Sequence, residues 1–253
     1  MQRNHQLAMK SAPEQMPHQP FVPQQSEALP PSALETRRLG LIVGTILLNL
    51  VSVTLLTAVP TSNWRTGLAL NLFDNFLFAG FLWWYQDRVL GRLMAYGLIV
   101  GLVELVADAW LVDITRTLDY SIGGGPMLWR SPIWMPLAWQ VVTVQFAVVG
   151  LRLLRWRRGL GLLLTGLLGA INIPYYEEMA RLIHWWQYTN CRMISGTPYY
   201  IVLGEFGIAM ALAWCAQAVP TGKPSAIIRA GSLAGLGILV SYVGAYEIAE
   251  YRW

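Results

Sequence analysis

Residues 39–60 read LGLIVGTILLNLVSVTLLTAVP, 22 residues without one acidic or basic side chain. A helix rises 1.5 Å per residue, so about 20 apolar residues in a row cover the ~30 Å hydrocarbon core of a bilayer. Similar runs follow at 67–86, 90–112, 132–154, 159–180, 197–219 and 226–249. Lipid offers no partner to backbone N–H and C=O groups, so each run is expected to pair them internally as a helix. The expected fold is an all-α integral membrane protein, a seven-transmembrane-helix bundle occupying residues 39–253. Composition agrees with this: 55% of the 253 residues are hydrophobic and 13% charged, where a soluble domain carries about a quarter charged.

Residues 1–38 differ in kind. They are rich in Gln, Pro and Ser and hold too little apolar surface to offset the entropy of folding, which predicts a disordered tail. No charged, apolar and small-residue cleavage pattern is present, so the first membrane helix is expected to act as an uncleaved signal. With the N-terminus inside, twelve of the eighteen basic residues fall on the inner side, among them the cluster RLLRWRR at 152–158. This bias predicts a cytoplasmic N-terminus in a bacterial cytoplasmic membrane. The net charge of +4 then belongs to topology, and no nucleic-acid partner is implied.

The same orientation gathers the acids. Glu104, Asp108, Glu177 and Glu178 fall in the outer halves of outward-running helices, and Asp74 and Glu205 lie in the early turns of inward-running ones. Glu104 and Asp108 are four apart and share a helix face. An ionisable group in a bilayer is costly and usually faces the bundle interior, so an outward-opening polar pocket is expected. The competing structural reading pairs these carboxylates with Arg116, Arg130, Arg181 and Arg192 of the outer loops. Asp74, within NLFDNFLF at 71–78, has Asn71 and Asn75 beside it to satisfy it locally.

An echo runs through the middle of the chain. MLWRSPIW at 127–134 is matched by MISGTPYY at 193–200, each opening an inward helix after an outward helix that carries acids and then Trp and Tyr. This predicts an internal helix-loop-helix repeat. A hydroxyl residue before Pro is also ordinary helix-start chemistry.

Several chemistries are set aside. Within 39–253 the only histidine is His184 and the only lysine is Lys223, which excludes a multi-histidine di-iron centre and a mid-membrane Schiff-base lysine. Cys191 and Cys215 lack metal-ligand spacing. The GGG at 123–125 has neither the lysine nor the strand of a phosphate loop. No metal and no organic cofactor is implied.

Carboxylates and aromatics remain, and together they suit carbocation chemistry. A carboxylic acid kept protonated by a low-dielectric site can protonate a carbon–carbon double bond, and Trp and Tyr faces can stabilise the cation. Adjacent acids such as Glu177 and Glu178 cannot both ionise cheaply, although neighbours on a helix point about 100° apart. Trp and Tyr also gather at membrane interfaces for their own reasons.

The segment GPMLWRSPIWMPLAW at 125–139 resembles a stretch of the membrane carotenoid hydratases of the bacterioruberin-type pathway. In that stretch a Gly-Pro-x-Leu turn leads to Pro-x-x-Ile/Met-Pro-Leu-Ala-Trp. Glu104 stands where that family has a helix glutamate, and Asn172 or Glu177 stands where it has an aspartate. More distantly, NIPYYEEM at 172–179 is similar to the Pro-x-Glu-Glu motif of membrane lycopene cyclases, with two residues here between Pro174 and Glu177. The resemblance spans about 104–205 and implies isoprenoid chemistry.

The leading expectation is thus a membrane-embedded enzyme that protonates a carotenoid or other polyprenyl chain lying among membrane lipid, followed by hydration or cyclisation. Glu104 or Glu178 is the expected proton donor, tuned by Glu205, Asp108 and Glu177. Trp134, Trp139, Trp185, Trp186, Tyr120 and Tyr188 are expected to line the hydrocarbon slot. The alternative is a non-catalytic small-solute carrier or complex subunit, with Pro174 and Asn172 breaking the fifth helix and GLLLTGLLGA at 161–170 serving as a packing face.

Overall fold

The computed structural model describes residues 31–250. Among them are seven α-helices: α1 (Pro31–Leu56), α2 (Trp64–Tyr85), α3 (Arg88–Ala109), α4 (Met135–Trp156), α5 (Arg158–Leu182), α6 (Tyr199–Ala216) and α7 (Pro224–Glu250). Six are long and apolar enough to cross a membrane, and α2 is not one of them. Its 22 residues suffice in length, but Arg65, Asn71, Asp74 and Asn75 lower its apolar content. A π-helical turn, Trp110–Thr115, extends α3 and ends at Arg116 in the left-handed region.

The tail expected at 1–38 lies in part outside the described residues, and its last eight positions are helical. Three charged side chains there have partners in the fold. Arg38 grips Asp87 with two hydrogen bonds of 2.7 and 2.9 Å, and Asp87 also caps α3 by accepting from the N–H groups of Val89 and Leu90. Arg37 donates to the Tyr85 hydroxyl at 2.9 Å. Glu35 receives Arg152 and Arg155 of α4. Composition conceals such anchoring, because it depends on partners about fifty or more residues away.

The bundle is tightest where backbones meet. α3 lies against α4 and α7, and α5 and α7 against α6, while α1 and α2 border α4 more loosely. Gly101 on α3 meets the backbone of Pro136, and Gly97 that of Gln140. On α5 a side chain at Gly169 would come within 2.6 Å of the Glu205 carbonyl, and at Gly166 within 2.9 Å of Phe206. The small-residue run at 161–170 is therefore a packing face. Pro174 lies inside α5 without ending it, so the expected break of the fifth helix does not occur.

The connections α3–α4 and α5–α6 are built alike. Strands β1 (Leu118–Asp119), β2 (Met127–Leu128) and β3 (Ser131–Pro132) occupy the first, and β4 (Gln187–Tyr188), β5 (Met193–Ile194) and β6 (Thr197–Pro198) the second. The β2–β3 hairpin pairs Met127 with Pro132 and Leu128 with Ser131; β5–β6 pairs Met193 with Pro198 and Ile194 with Thr197. Trp129 and Ser195 occupy the left-handed region at φ 57° and 55° in the two turns. β1 and β4 pair with each other, antiparallel, so the two connections form one cover over the same end of the bundle.

Adding a methyl group at the close backbone contacts forces the helices apart. Gly101→Ala and Gly169→Ala are each expected to cost about 1–3 kcal/mol, whereas Gly40→Ala, with open space around it, leaves the thermal midpoint of the purified protein unchanged or slightly raised.

Candidate functional site

Beneath the cover lies a cavity of ≈ 290 Å³. It borders α4 from Met135 to Val149, about 21 Å at 1.5 Å per residue. Its wall changes along that length. Trp134, Trp185, Trp186, Tyr120 and Tyr188 line the covered end, and Val142, Phe146, Val149 and Leu168 line the apolar remainder. Leu168, 47% exposed, stands on the rim. Trp139 lines the slot as well, so all six aromatics expected there contribute to its wall.

The tryptophans form a compact group. Ring centroids of Trp134 and Trp185 are 5.5 Å apart, those of Trp134 and Trp186 6.1 Å, and those of Trp185 and Trp186 6.0 Å. Trp185 is held by its indole N–H, which donates to the Asn63 carbonyl and the Thr66 hydroxyl, both at 3.1 Å. The group thereby ties the second connection to the start of α2.

Three acids line the cavity: Asp74 from α2, Glu177 from α5 and Glu205 from α6. The Trp186 indole donates to Glu177 Oε2 at 2.5 Å and the Tyr188 hydroxyl to Oε1 at 3.2 Å. The Tyr242 hydroxyl of α7 donates to Glu205 Oε1 at 2.8 Å. Asp74 is fully buried, and neither of its oxygens has a hydrogen-bond partner among the described residues. Among the described residues, no Lys, Arg or His lines the slot.

Asp108 and Glu104 sit behind this wall. Asp108 Oδ2 accepts from the hydroxyls of Tyr120 and Ser131, each at 2.7 Å. The pair Tyr120–Asp108 in the first unit thus parallels Tyr188–Glu177 in the second. Burial, and after it the neighbouring Asp108 and Glu104, pushes the Tyr120 phenol well above its ordinary value. Burial and then Glu177 do the same for Tyr188. Both phenols therefore hold their protons at neutral pH and serve as donors. Glu104 is wholly buried, with Asp108 and the Trp139 indole as polar neighbours, yet neither of its oxygens is in hydrogen-bond geometry with any group.

Two expectations are corrected here. Glu178 faces away from the cavity and binds Arg181 at 2.6 Å and Ser195 at 3.3 Å, because the 100° step along α5 turns it outward when Glu177 turns inward. Glu104 does not line the cavity, since α3 presents it toward Asp108 behind the aromatic wall. The structural reading through loop arginines applies to Glu178 and not to Glu177, Glu205 or Asp108. Asn71 and Asn75 do not satisfy Asp74: their amide groups donate to the carbonyls of Gly67 and Asn71, at 2.8 and 2.9 Å. Tyr242, Tyr176 and Asn49 join the site without a signal in the sequence, as each comes from a helix whose facing is set by tertiary packing.

Fold and site together define a multi-helix protein with an acid-bearing aromatic cavity. The chain belongs to the DUF6989 family, described as a domain of unknown function, whose model matches residues 105–249. No curated protein and no solved structure matches it. The matched region contains Asp108, Glu177, Glu205 and Tyr242, and it leaves out α1 and α2.

A buried acid without donors is destabilising, by about 1–3 kcal/mol per unsatisfied group. Glu104→Met is expected to raise the thermal midpoint, and Tyr120→Phe, which strips a donor from Asp108, to lower it. Thermal unfolding in detergent reads both.

Proposed function

We propose that this chain is a multi-pass enzyme of the membrane, with α2 completing a seven-helix bundle and the two hairpin-bearing units arising from an internal repeat. Its substrate is a carotenoid or another polyprenyl chain, bound along α4. The reaction is protonation of a carbon–carbon double bond. The observation that carries this reading is the placement of Glu177 and Glu205, buried, in an aromatic slot lined by no Lys, Arg or His among the described residues, with phenol and indole groups fixing their orientation.

Glu177 or Glu205 gives its carboxyl proton to one carbon of the double bond, the π pair forming the new C–H bond and leaving a tertiary cation at the other carbon. The Trp134, Trp185 and Trp186 faces stabilise that cation. Water then adds through a lone pair and returns a proton to the carboxylate, giving a tertiary alcohol. In the cyclising variant a second double bond of the chain attacks, and proton loss to the carboxylate completes the ring. Asp108 and Glu104 tune the acids from behind. The resemblance of residues 125–139 to carotenoid hydratases adds to this reading, as does Leu168 on the rim, which gives a lipid-borne chain a way in. α5 continues through Pro174, so the broken fifth helix that would favour a carrier is not seen among the described residues.

The test is expression in bacteria that accumulate acyclic polyprenyls, with mass spectrometry of lipid extracts. A product heavier by one water, or an isomer of altered retention, is expected. Glu177→Gln or Glu205→Gln should lower its yield by about 10²-fold or more, while Glu178→Gln leaves it unchanged. Equal yields from all three variants would sink the assignment, and no product with any chain supplied would move the reading to a carrier or complex subunit.

A further inference from the structure

Asp74 has no role in the proton chemistry above, yet it is fully buried and faces the slot with both oxygens unpartnered. Beside it on the α1 wall, Asn49 Oδ1 is also buried and without a partner among the described residues, while the Asn49 amide lies next to the Asp74 carboxyl as a donor. Three acceptor oxygens thus stand in one part of the slot with no donor in hydrogen-bond geometry among the described residues, and the Asn71 and Asn75 amides point at backbone carbonyls instead. Leaving a buried acceptor without a donor is costly. What these oxygens lack is donors, and a ligand that brings them completes the subsite.

We infer that Asp74 and Asn49 form a headgroup subsite that takes the hydrogen-bond-donating end, a hydroxyl or a protonated amine, of a ligand whose apolar chain lies along α4. Carboxylate and ether heads are disfavoured, since they bring no donor to these oxygens. A trimethylammonium head carries charge but no N–H and is disfavoured on the same ground. The subsite lies on the α1–α2 wall, outside the region the family model matches, and faces the wall that carries Glu177 and Glu205. The inference uses the cavity of the proposed function but not its chemistry.

The full-length protein in lipid nanodiscs, titrated calorimetrically with octylamine, octanol, octyl methyl ether, octyltrimethylammonium and octanoate against empty nanodiscs, tests it without turnover. Octylamine, octanol or both should bind about tenfold or more tighter than the three heads without a donor in their neutral-pH form, the factor that one hydrogen bond to a charged group provides. Which of the two binds names the head. Asp74→Asn should remove most of that preference, and Asn49→Leu should weaken it while leaving the octyl methyl ether affinity unchanged. Glu177→Gln should not alter the preference. Equal affinity for donor and acceptor heads, or a preference that survives Asp74→Asn in a variant eluting as wild type, would overturn it. Loss of product formation in the acid variants with head preference intact would separate the two readings.

Discussion

The antiparallel pairing of Leu118–Asp119 with Gln187–Tyr188 is the contact on which the site rests. It joins two connections that belong to different helix pairs, and the next donors along each strand, Tyr120 and Tyr188, reach down to Asp108 and Glu177. Side chains reinforce the backbone: Gln187 donates to Asp119 at 3.0 Å, and the Thr189 N–H to the Thr117 carbonyl at 2.8 Å. Asp119 also accepts from Ser121, which holds its carboxyl below the usual range. Without this pairing, two buried carboxyl groups would each lose a phenol donor at once.

The acids are held unequally, and the inequality sorts them. Glu177, Glu205 and Asp108 have donors aimed at them from neighbouring elements, Glu178 has an arginine at the surface, and Asp74 and Glu104 have polar neighbours but no partner in hydrogen-bond geometry among the described residues. Apolar residues of similar size would fill the last two positions at lower cost to stability.

Much of this was legible in residues alone. Hydropathy located all seven helices to within a few positions except at the start of α1, where Glu35, Arg37 and Arg38 draw helix out of a polar segment through distant partners. The echo between 127–134 and 193–200 marked two hairpins with matching register, and all six aromatic candidates line one slot. Facing was harder. Glu177 and Glu178 are identical in type and adjacent, and only the rotation of α5 against α6, set by Gly166 and Gly169, decides which enters the cavity. The deep position of Glu104 on its helix made it a natural candidate, but depth along an axis carries no information on which neighbour a side chain meets.

The absence of α1 and α2 from the matched region has a consequence for how such cavities diversify. Asp108, Glu177, Glu205 and the paired connections lie on one continuous piece of chain, while the opposing wall of Ile46, Asn49, Leu70 and Asp74 is contributed by two helices that precede it. The slot is therefore a composite of two stretches of chain, one inside the matched region and one before it. Exchanging the leading helices would redraw what the cavity admits and leave its acids and their phenol donors in register.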